Sequence, residues 1–286
     1  MAAFGPLVDG GWLFDHIDEP GLRVIDLRWY LDGRPGRAAY EAGHIPAAVF
    51  VDLDREITGQ RPGAGRHPLP SHEEFEVAMR RAGVGRVSRV VVYDDQGGFS
   101  AGRLWWLLRY FGHPDVAVLD GGLAAWPGDL STETARYPPG DFVAAAPQEG
   151  SKLDFEELVQ AAGDLVLLDA RSGPRYRGEV EPIDPKAGHI PGARNAPWQD
   201  NLGDDQRFLG AGELRLRFQS LGVRAGRDVV AYCGSGVSAC HNLLALEIAG
   251  LSGSRLYPGS WSDWSSRPEA PVATGAEEVQ SPRLLP

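Results

Sequence analysis

The stretch Val229-Val230-Ala231-Tyr232-Cys233-Gly234-Ser235-Gly236-Val237-Ser238-Ala239 sets a cysteine between an apolar run and a glycine-rich turn. The pattern predicts a buried strand that ends on Cys233, then a short loop, then a helix. A thiol at that junction faces backbone N–H groups at a helix N-terminus, which stabilise negative charge. The thiolate is the nucleophilic form of cysteine, so the setting suits covalent chemistry. Free cysteine is also a common core residue. Gly234 and Gly236, however, contribute no packing and let the backbone approach a ligand closely. Cys233 is the candidate nucleophile, and the N–H groups of the loop from Gly234 to Ala239, including Gly236, Val237 and Ser238, are the candidate anion cradle. Ser238 also reads as the cap of the helix that follows.

A strand–cysteine–loop–helix arrangement also serves Cys-x5-Arg phosphatases, which need an arginine at what is here position 239 to clamp phosphate. The chain has Ala239, which argues against that chemistry. The other cysteine, Cys240, lies too close along the loop-to-helix junction for a structural disulfide, and two cysteines are too few for a zinc site. No metal and no organic cofactor is expected. The net charge of −11 comes without a basic block, so nucleic acid is not an expected partner. Any anion site must be built locally from arginines and N–H groups. The first residues, Met1-Ala2-Ala3-Phe4-Gly5-Pro6, lack a basic start followed by an apolar run, so no signal peptide is expected. No apolar stretch is long enough to span a membrane. A reducing, cytoplasmic setting suits a working thiol.

The elements that must position the thiol come in two copies. Leu22-Arg23-Val24-Ile25-Asp26 answers to Leu165-Val166-Leu167-Leu168-Asp169, and Gly43-His44-Ile45-Pro46 to Gly188-His189-Ile190-Pro191. Arg89-Val90-Val91-Val92-Tyr93 answers to Asp228-Val229-Val230-Ala231-Tyr232. An offset of about 140 residues is too long for a solenoid and marks a duplicated domain. Residues 137–150, rich in Pro, Gly and Ala, read as a linker between a domain at 1–136 and another at 151–286. Apolar runs alternate with helical patterns, opened by the capping signatures Ser71-His72-Glu73-Glu74 and Asp154-Phe155-Glu156-Glu157. The expected fold is α/β, each domain a mostly parallel sheet flanked by helices. Ligands in such sheets bind at the carboxyl ends of the strands, where Cys233 falls. The first copy has Asp94 and Asp95 at that place, so it is expected to support the site without doing covalent chemistry.

Together these residues resemble the tandem-domain, rhodanese-type sulfurtransferases over nearly the whole chain. The loop from Cys233 to Ala239 is similar to that of 3-mercaptopyruvate sulfurtransferases. Thiosulfate sulfurtransferases carry Arg and Lys where this chain has Gly234 and Ser235. Asp169-Ala170-Arg171 with Arg175-Tyr176-Arg177-Gly178 resembles the family's substrate-anchoring segment, which makes Arg175 the anchor. Ile183 stands where animal mercaptopyruvate enzymes have a second arginine.

The resemblance implies a double displacement in which Cys233 takes sulfur from 3-mercaptopyruvate as a persulfide. It then passes the sulfur to cyanide, a small thiol or a thioredoxin-like acceptor. Thiosulfate is the alternative donor, and a persulfide carrier serving a partner protein is the alternative role. The resemblance also suggests that His44 orients the Ser235 hydroxyl in a triad-like arrangement, whereas His189 reads as structural. Trp29, Phe99, Trp261 and Trp264 are either cleft walls or ordinary core aromatics. The pair Trp105-Trp106 reads as core.

Overall fold

The computed structural model describes residues 4–61, 65–161 and 165–276. Met1, Ala2 and Ala3, where the N-terminal reading begins, and the last ten residues of the second domain lie outside that set. The duplicated apolar runs become two all-parallel sheets. The first holds β1 (Leu7–Val8), β2 (Leu22–Asp26), β3 (Val49–Phe50), β4 (Arg89–Tyr93) and β5 (Val116–Leu119) in the order β1-β5-β4-β2-β3. The second holds β6 (Leu165–Asp169), β7 (Arg194–Asn195), β8 (Asp228–Tyr232) and β9 (Arg255–Leu256) in the order β7-β6-β8-β9. A single parallel bridge from Lys152 to Leu256 stands where β1 stands in the first copy. The two orders match position for position, as a duplication requires.

In each sheet the central strand, β4 or β8, is apolar along almost its whole length because helices cover both faces. Val90 to Tyr93 and Val230 to Tyr232 are fully buried. The second core gathers Leu158, Leu167, Val230, Tyr232, Tyr257, Trp261 and Trp264. Both predicted capping signatures close as capping boxes, Ser71 with Glu74 and Asp154 with Glu157. Trp105 and Trp106 are buried on the helix Ala101–Tyr110.

A polar module repeats beneath the strand ends. Arg28 Nη2 donates to Asp26 Oδ2 at 2.6 Å and to the Gly43 carbonyl at 2.8 Å. Arg171 Nη2 donates to Asp169 Oδ2 at 2.6 Å and to the Gly188 carbonyl at 2.7 Å. Both arginines are buried, and each ion pair is satisfied by a further backbone acceptor, the condition under which such pairs are tolerated.

The compact units do not follow a single cut along the chain. One unit comprises residues 1–59, 69–148 and 202–208, and the other 60–68, 149–201 and 209–286. Residues 137–148, expected as a linker, pack on the first unit. Phe142 is buried there against Phe75, and the Gly140, Ala145 and Gln148 N–H groups donate to the Arg80, Phe111 and Tyr110 carbonyls. The exchange of 60–68 matters most, because it brings residues of the first half into the unit that holds Cys233.

Candidate active site

Cys233 follows the last residue of β8, and the chain turns there because several groups hold the turn at once. The Cys233 N–H donates to Ser260 Oγ at 3.1 Å, and that hydroxyl donates to the Tyr257 carbonyl at 2.9 Å. The carbonyls of Cys233 and Gly234 accept from the N–H groups of Trp261 and Ser262, both at 2.9 Å. The loop is thus clamped to the helix Ser260–Trp264 on both sides of the thiol. Gly236 has φ = 80°, and a Cβ there would sit 2.6 Å from the Pro258 carbonyl oxygen. Only glycine fits that position without strain.

The Gly236 N–H donates to Cys233 Sγ at 3.1 Å, a donor aimed at the sulfur. The helix Ser238–Ile248 starts immediately after, with Val237 at its N-cap and no side-chain cap. Ser238 is therefore the first helical residue and not the cap. Cys233 is 2% exposed, and Cys240 is fully buried, with its thiol 3.4 Å from the Gly236 carbonyl. Neither cysteine is in a disulfide.

Ser235, the residue between the two loop glycines, has its hydroxyl 2.7 Å from His67 Nδ1, and both side chains are buried. The histidine that meets Ser235 is thus His67, not His44. The His44 Nδ1 and Nε2 lie 2.7 Å and 3.0 Å from the carbonyls of Tyr40 and Glu133, and its ring stacks on Tyr40 at 3.7 Å. His189 repeats this design, with Nδ1 2.8 Å from the Tyr176 carbonyl and the ring stacked on Tyr176 at 3.8 Å. Both Gly-His-Ile-Pro histidines pin a turn to the tyrosine before it. Both His44 ring nitrogens are taken up by backbone carbonyls of its own unit.

Arg175, on the short helix Gly173–Tyr176, points to the same loop. Its Nη2 donates to Glu181 Oε1 at 2.6 Å and to Asp184 Oδ2 at 3.2 Å. Asp184 also pairs with Arg66, whose backbone N–H donates to Ser262 Oγ at 3.1 Å. Burial raises the Glu181 carboxyl pKa, but hydrogen bonds from Arg175 and from the Asp184 and Ile183 N–H groups outweigh it and leave it below the ordinary value. For Asp184 burial wins, and its pKa stands above the ordinary value despite Arg66 and Arg175. Ile183 is exposed and adds only its N–H, to Glu181.

Trp261 lies under the Arg171 guanidinium at 4.6 Å and donates to the Lys186 carbonyl, while Trp264 packs on Phe155. Both tryptophans are fully buried core. Trp29 and Phe99 stack on each other in the first unit. Among the described residues, no three His, Cys, Asp or Glu side chains converge as a metal site.

Sequence reasoning missed Arg66, His67 and Asp184. Arg66 and His67 sit in Gly65-Arg66-His67-Pro68, far from the cysteine along the chain, with no repeat partner to flag them. The one available signal was chemical, a cation and an imidazole side by side in a Gly/Pro-rich segment.

Comparison with known proteins agrees with this layout. The family model for the rhodanese-like domain matches residues 9–129 and again 152–267. A Pseudomonas aeruginosa protein with the provisional name 3-mercaptopyruvate sulfurtransferase is 48% identical, over 91% of this chain and 94% of its own. A Mycobacterium tuberculosis protein with the provisional name thiosulfate sulfurtransferase is 44% identical, over 89% and 91%. The crystal structure of SseA from Escherichia coli, described with the mechanism of 3-mercaptopyruvate sulfotransferases, superposes with a TM-score of 0.80 at 36% identity. That superposition covers 90% of this chain and 99% of SseA. With two parallel sheets in matching order and a family match to each half, the chain belongs to the rhodanese-like family as a two-domain member.

Proposed function

We propose that the protein is a sulfurtransferase that moves sulfur from 3-mercaptopyruvate to a thiol or cyanide acceptor through a persulfide on Cys233. The observation that carries this reading is the Ser235–His67 contact at 2.7 Å on the loop that cradles the Cys233 sulfur. The Cys233 thiolate attacks the thiol sulfur of mercaptopyruvate, the carbon–sulfur bond breaks, and its electron pair leaves on carbon as the enolate of pyruvate. That enolate must gain a proton. Ser235 stands two residues after Cys233, and its hydroxyl is backed by the His67 imidazole, which can resupply the proton it gives. The Gly236 N–H and the start of the helix at Ser238 favour negative charge on the inner sulfur as the acceptor removes the outer one. Arg175 holds the donor carboxylate.

The acceptor is a small thiol, cyanide or a thioredoxin-like dithiol, and a cytoplasmic setting suits the reduced state of the site. No helix among the described residues is long and apolar enough to cross a membrane.

Intact mass after incubation with mercaptopyruvate tests the reading, because a persulfide adds one sulfur atom to the wild type and nothing to Cys233→Ser. An unchanged wild-type mass would overturn it. Persulfide formation with poor turnover on cyanide and dithiothreitol would instead favour a sulfur carrier.

A further inference from the structure

The helix Ser238–Ile248, which follows the cysteine loop, has no polar face to orient its first half. Every residue from Ser238 to Leu246 is buried, so apolar contact surrounds the helix there. Such contact is non-directional, and hydrogen bonds must fix how the helix is turned. One set of them lies near its start. Asn201, at the end of the short helix Trp198–Asn201, points its side-chain amide at two successive residues of the buried helix. Its Nδ2 donates to Asn242 Oδ1 at 2.7 Å and stands 3.1 Å from His241 Nδ1. Asn242 Nδ2 donates in turn to the Ala196 carbonyl at 2.8 Å. Asn201, His241 and Asn242 are all fully buried.

Elementary chemistry fixes which way each group faces. The Ala196 carbonyl can only accept, so Asn242 turns its NH2 there and its oxygen to Asn201. Asn201 must then present its own NH2, and His241 Nδ1 receives the second N–H on its lone pair. Turning either amide would set two oxygens against each other. The chain before Asn201 is tied to the end of β6, since the Ala196 and Trp198 N–H groups donate to the Asp169 and Ala170 carbonyls at 2.8 Å and 3.2 Å. Where the chain returns from residues 202–208, which belong to the first unit, the Leu209 N–H donates to the Asn201 carbonyl at 2.9 Å. Asn201 Oδ1 finds no hydrogen-bond donor among the described residues. A buried acceptor left unpaired lowers stability, so the role of this amide rests on its two donors and on what they hold.

We propose that Asn201 is a positioning residue for the reaction at Cys233, acting through His241 and Asn242 to hold the helix Ser238–Ile248 where the Gly236 N–H meets the sulfur. The proposal rests on the reading of Cys233 as the reacting thiol. Gly236 moves with the helix, because the Cys240 N–H donates to the Val237 carbonyl at 3.1 Å and the Cys240 thiol lies 3.4 Å from the Gly236 carbonyl. Cys233 does not, because it hangs from β8 and is clamped to the helix Ser260–Trp264 through Ser260 and Trp261. A turn or slide of the buried helix alone therefore opens the 3.1 Å contact between the Gly236 N–H and Cys233 Sγ. Hydrogen bonds weaken steeply as their angle is lost, and this one favours the thiolate. A bolt that only adds stability is the competing account, and it leaves the thiol unaltered in every molecule that stays folded.

The test is the rate at which iodoacetamide labels Cys233, located by mass in the digested protein, at about pH 7 and at about pH 10, where a thiol is mostly ionised. The ratio of the two rates reports how readily the thiol ionises, and its accessibility cancels. Full-length wild type is compared with Asn201→Ala and Asn201→Leu. Leucine has nearly the size of asparagine but no N–H to donate, so it reads the same bond if the alanine variant does not fold. Arg215→Ala is the control, since Arg215 Nε donates to the Ala249 carbonyl at 2.9 Å and ties the far end of the same helix. The neutral-to-alkaline ratio should fall about threefold or more in the Asn201 variants and keep its wild-type value in Arg215→Ala. An unchanged ratio in a folded Asn201 variant, or an equal fall in Arg215→Ala, would overturn the assignment. Labelling needs no sulfur donor, so failure of the persulfide reading would show separately, as a wild-type mass that mercaptopyruvate does not change.

Discussion

Asp94 and Cys233 occupy the same station in the two halves, each the first residue after a central strand and each facing the N–H groups of the loop that follows. The Asp94 carboxylate accepts from the N–H groups of Gln96, Gly98, Ser100 and Ala101 at 2.8–2.9 Å, and from the Ser100 hydroxyl at 3.1 Å. In the first half the cradle is filled by a side-chain carboxyl group of the protein itself. In the second it is offered to sulfur, with the Gly236 N–H 3.1 Å from Sγ. One backbone design that collects N–H groups around negative charge thus serves as a structural plug in one copy and a reaction site in the other.

This assigns Asp94 a stabilising role. Asp94→Ala removes the acceptor for four loop N–H groups, and each buried unpaired donor costs about 1–3 kcal/mol. Urea denaturation should show a loss on the order of 3 kcal/mol or more, with Asp94→Asn less severe because it keeps one acceptor oxygen. Persulfide formation by the protein that stays folded should persist. A variant with unchanged stability and no persulfide would reverse the assignment.

Cys233→Ser should abolish sulfur transfer without unfolding the chain. Serine is nearly isosteric and can keep the contact to the Gly236 N–H, but its hydroxyl does not ionise where a thiol does. Introducing Cys240→Ser as well excludes rescue by the buried neighbour. Transfer that survives in the double variant would place the chemistry elsewhere.

His67 and His44 should separate in opposite ways. His67→Ala removes the partner of Ser235, and loss of a general acid–base group typically costs about 10²–10⁴-fold in rate. Turnover with mercaptopyruvate should fall by at least that lower bound in the protein that stays folded. His44→Ala removes a stacked, fully buried ring that ties two carbonyls, so stability should fall by roughly 2–4 kcal/mol. Its kcat per folded molecule should be nearly unchanged. Denaturation curves and steady-state kinetics on both variants decide between them.

Much of this architecture is legible from local patterns. The strands ending on Asp26, Tyr93, Asp169 and Tyr232 follow from apolar runs of fixed length. The cysteine loop follows from glycines that have no other use. His44 misled because its motif is conspicuous, but Gly-His-Ile-Pro is a backbone device, as its second copy at His189 shows. His67 and Arg66 were out of reach because the segment 60–68 packs with the other half of the chain. No periodicity or spacing encodes such an exchange. The shared role of Asp184 was equally hidden, since it depends on three segments meeting at one buried carboxylate.

That carboxylate should make donor binding depend on pH. Asp184 faces Arg66, Arg175 and Glu181, and burial holds its pKa above the ordinary value of about 4. The folded state therefore keeps the proton to a higher pH than the unfolded chain. The stability this contributes is fully present below the unfolded pKa and is lost as pH rises through the folded one. Asp184→Asn should accordingly gain stability relative to wild type near neutrality, and the gain should shrink toward pH 4. Binding follows the same proton. Once Asp184 is neutral, it no longer competes with an anionic donor for Arg66 and Arg175. Thiosulfate affinity, read in the Cys233→Ser background, should rise as pH falls from neutrality toward the ordinary carboxylate range, where thiosulfate itself stays a dianion. Glu181, where the hydrogen bonds outweigh burial and hold the carboxyl below the ordinary value, keeps its charge to lower pH than Asp184 does. In Asp184→Asn the affinity should be higher at neutral pH and should depend less on pH. An identical slope in both proteins would show that Asp184 does not govern donor binding.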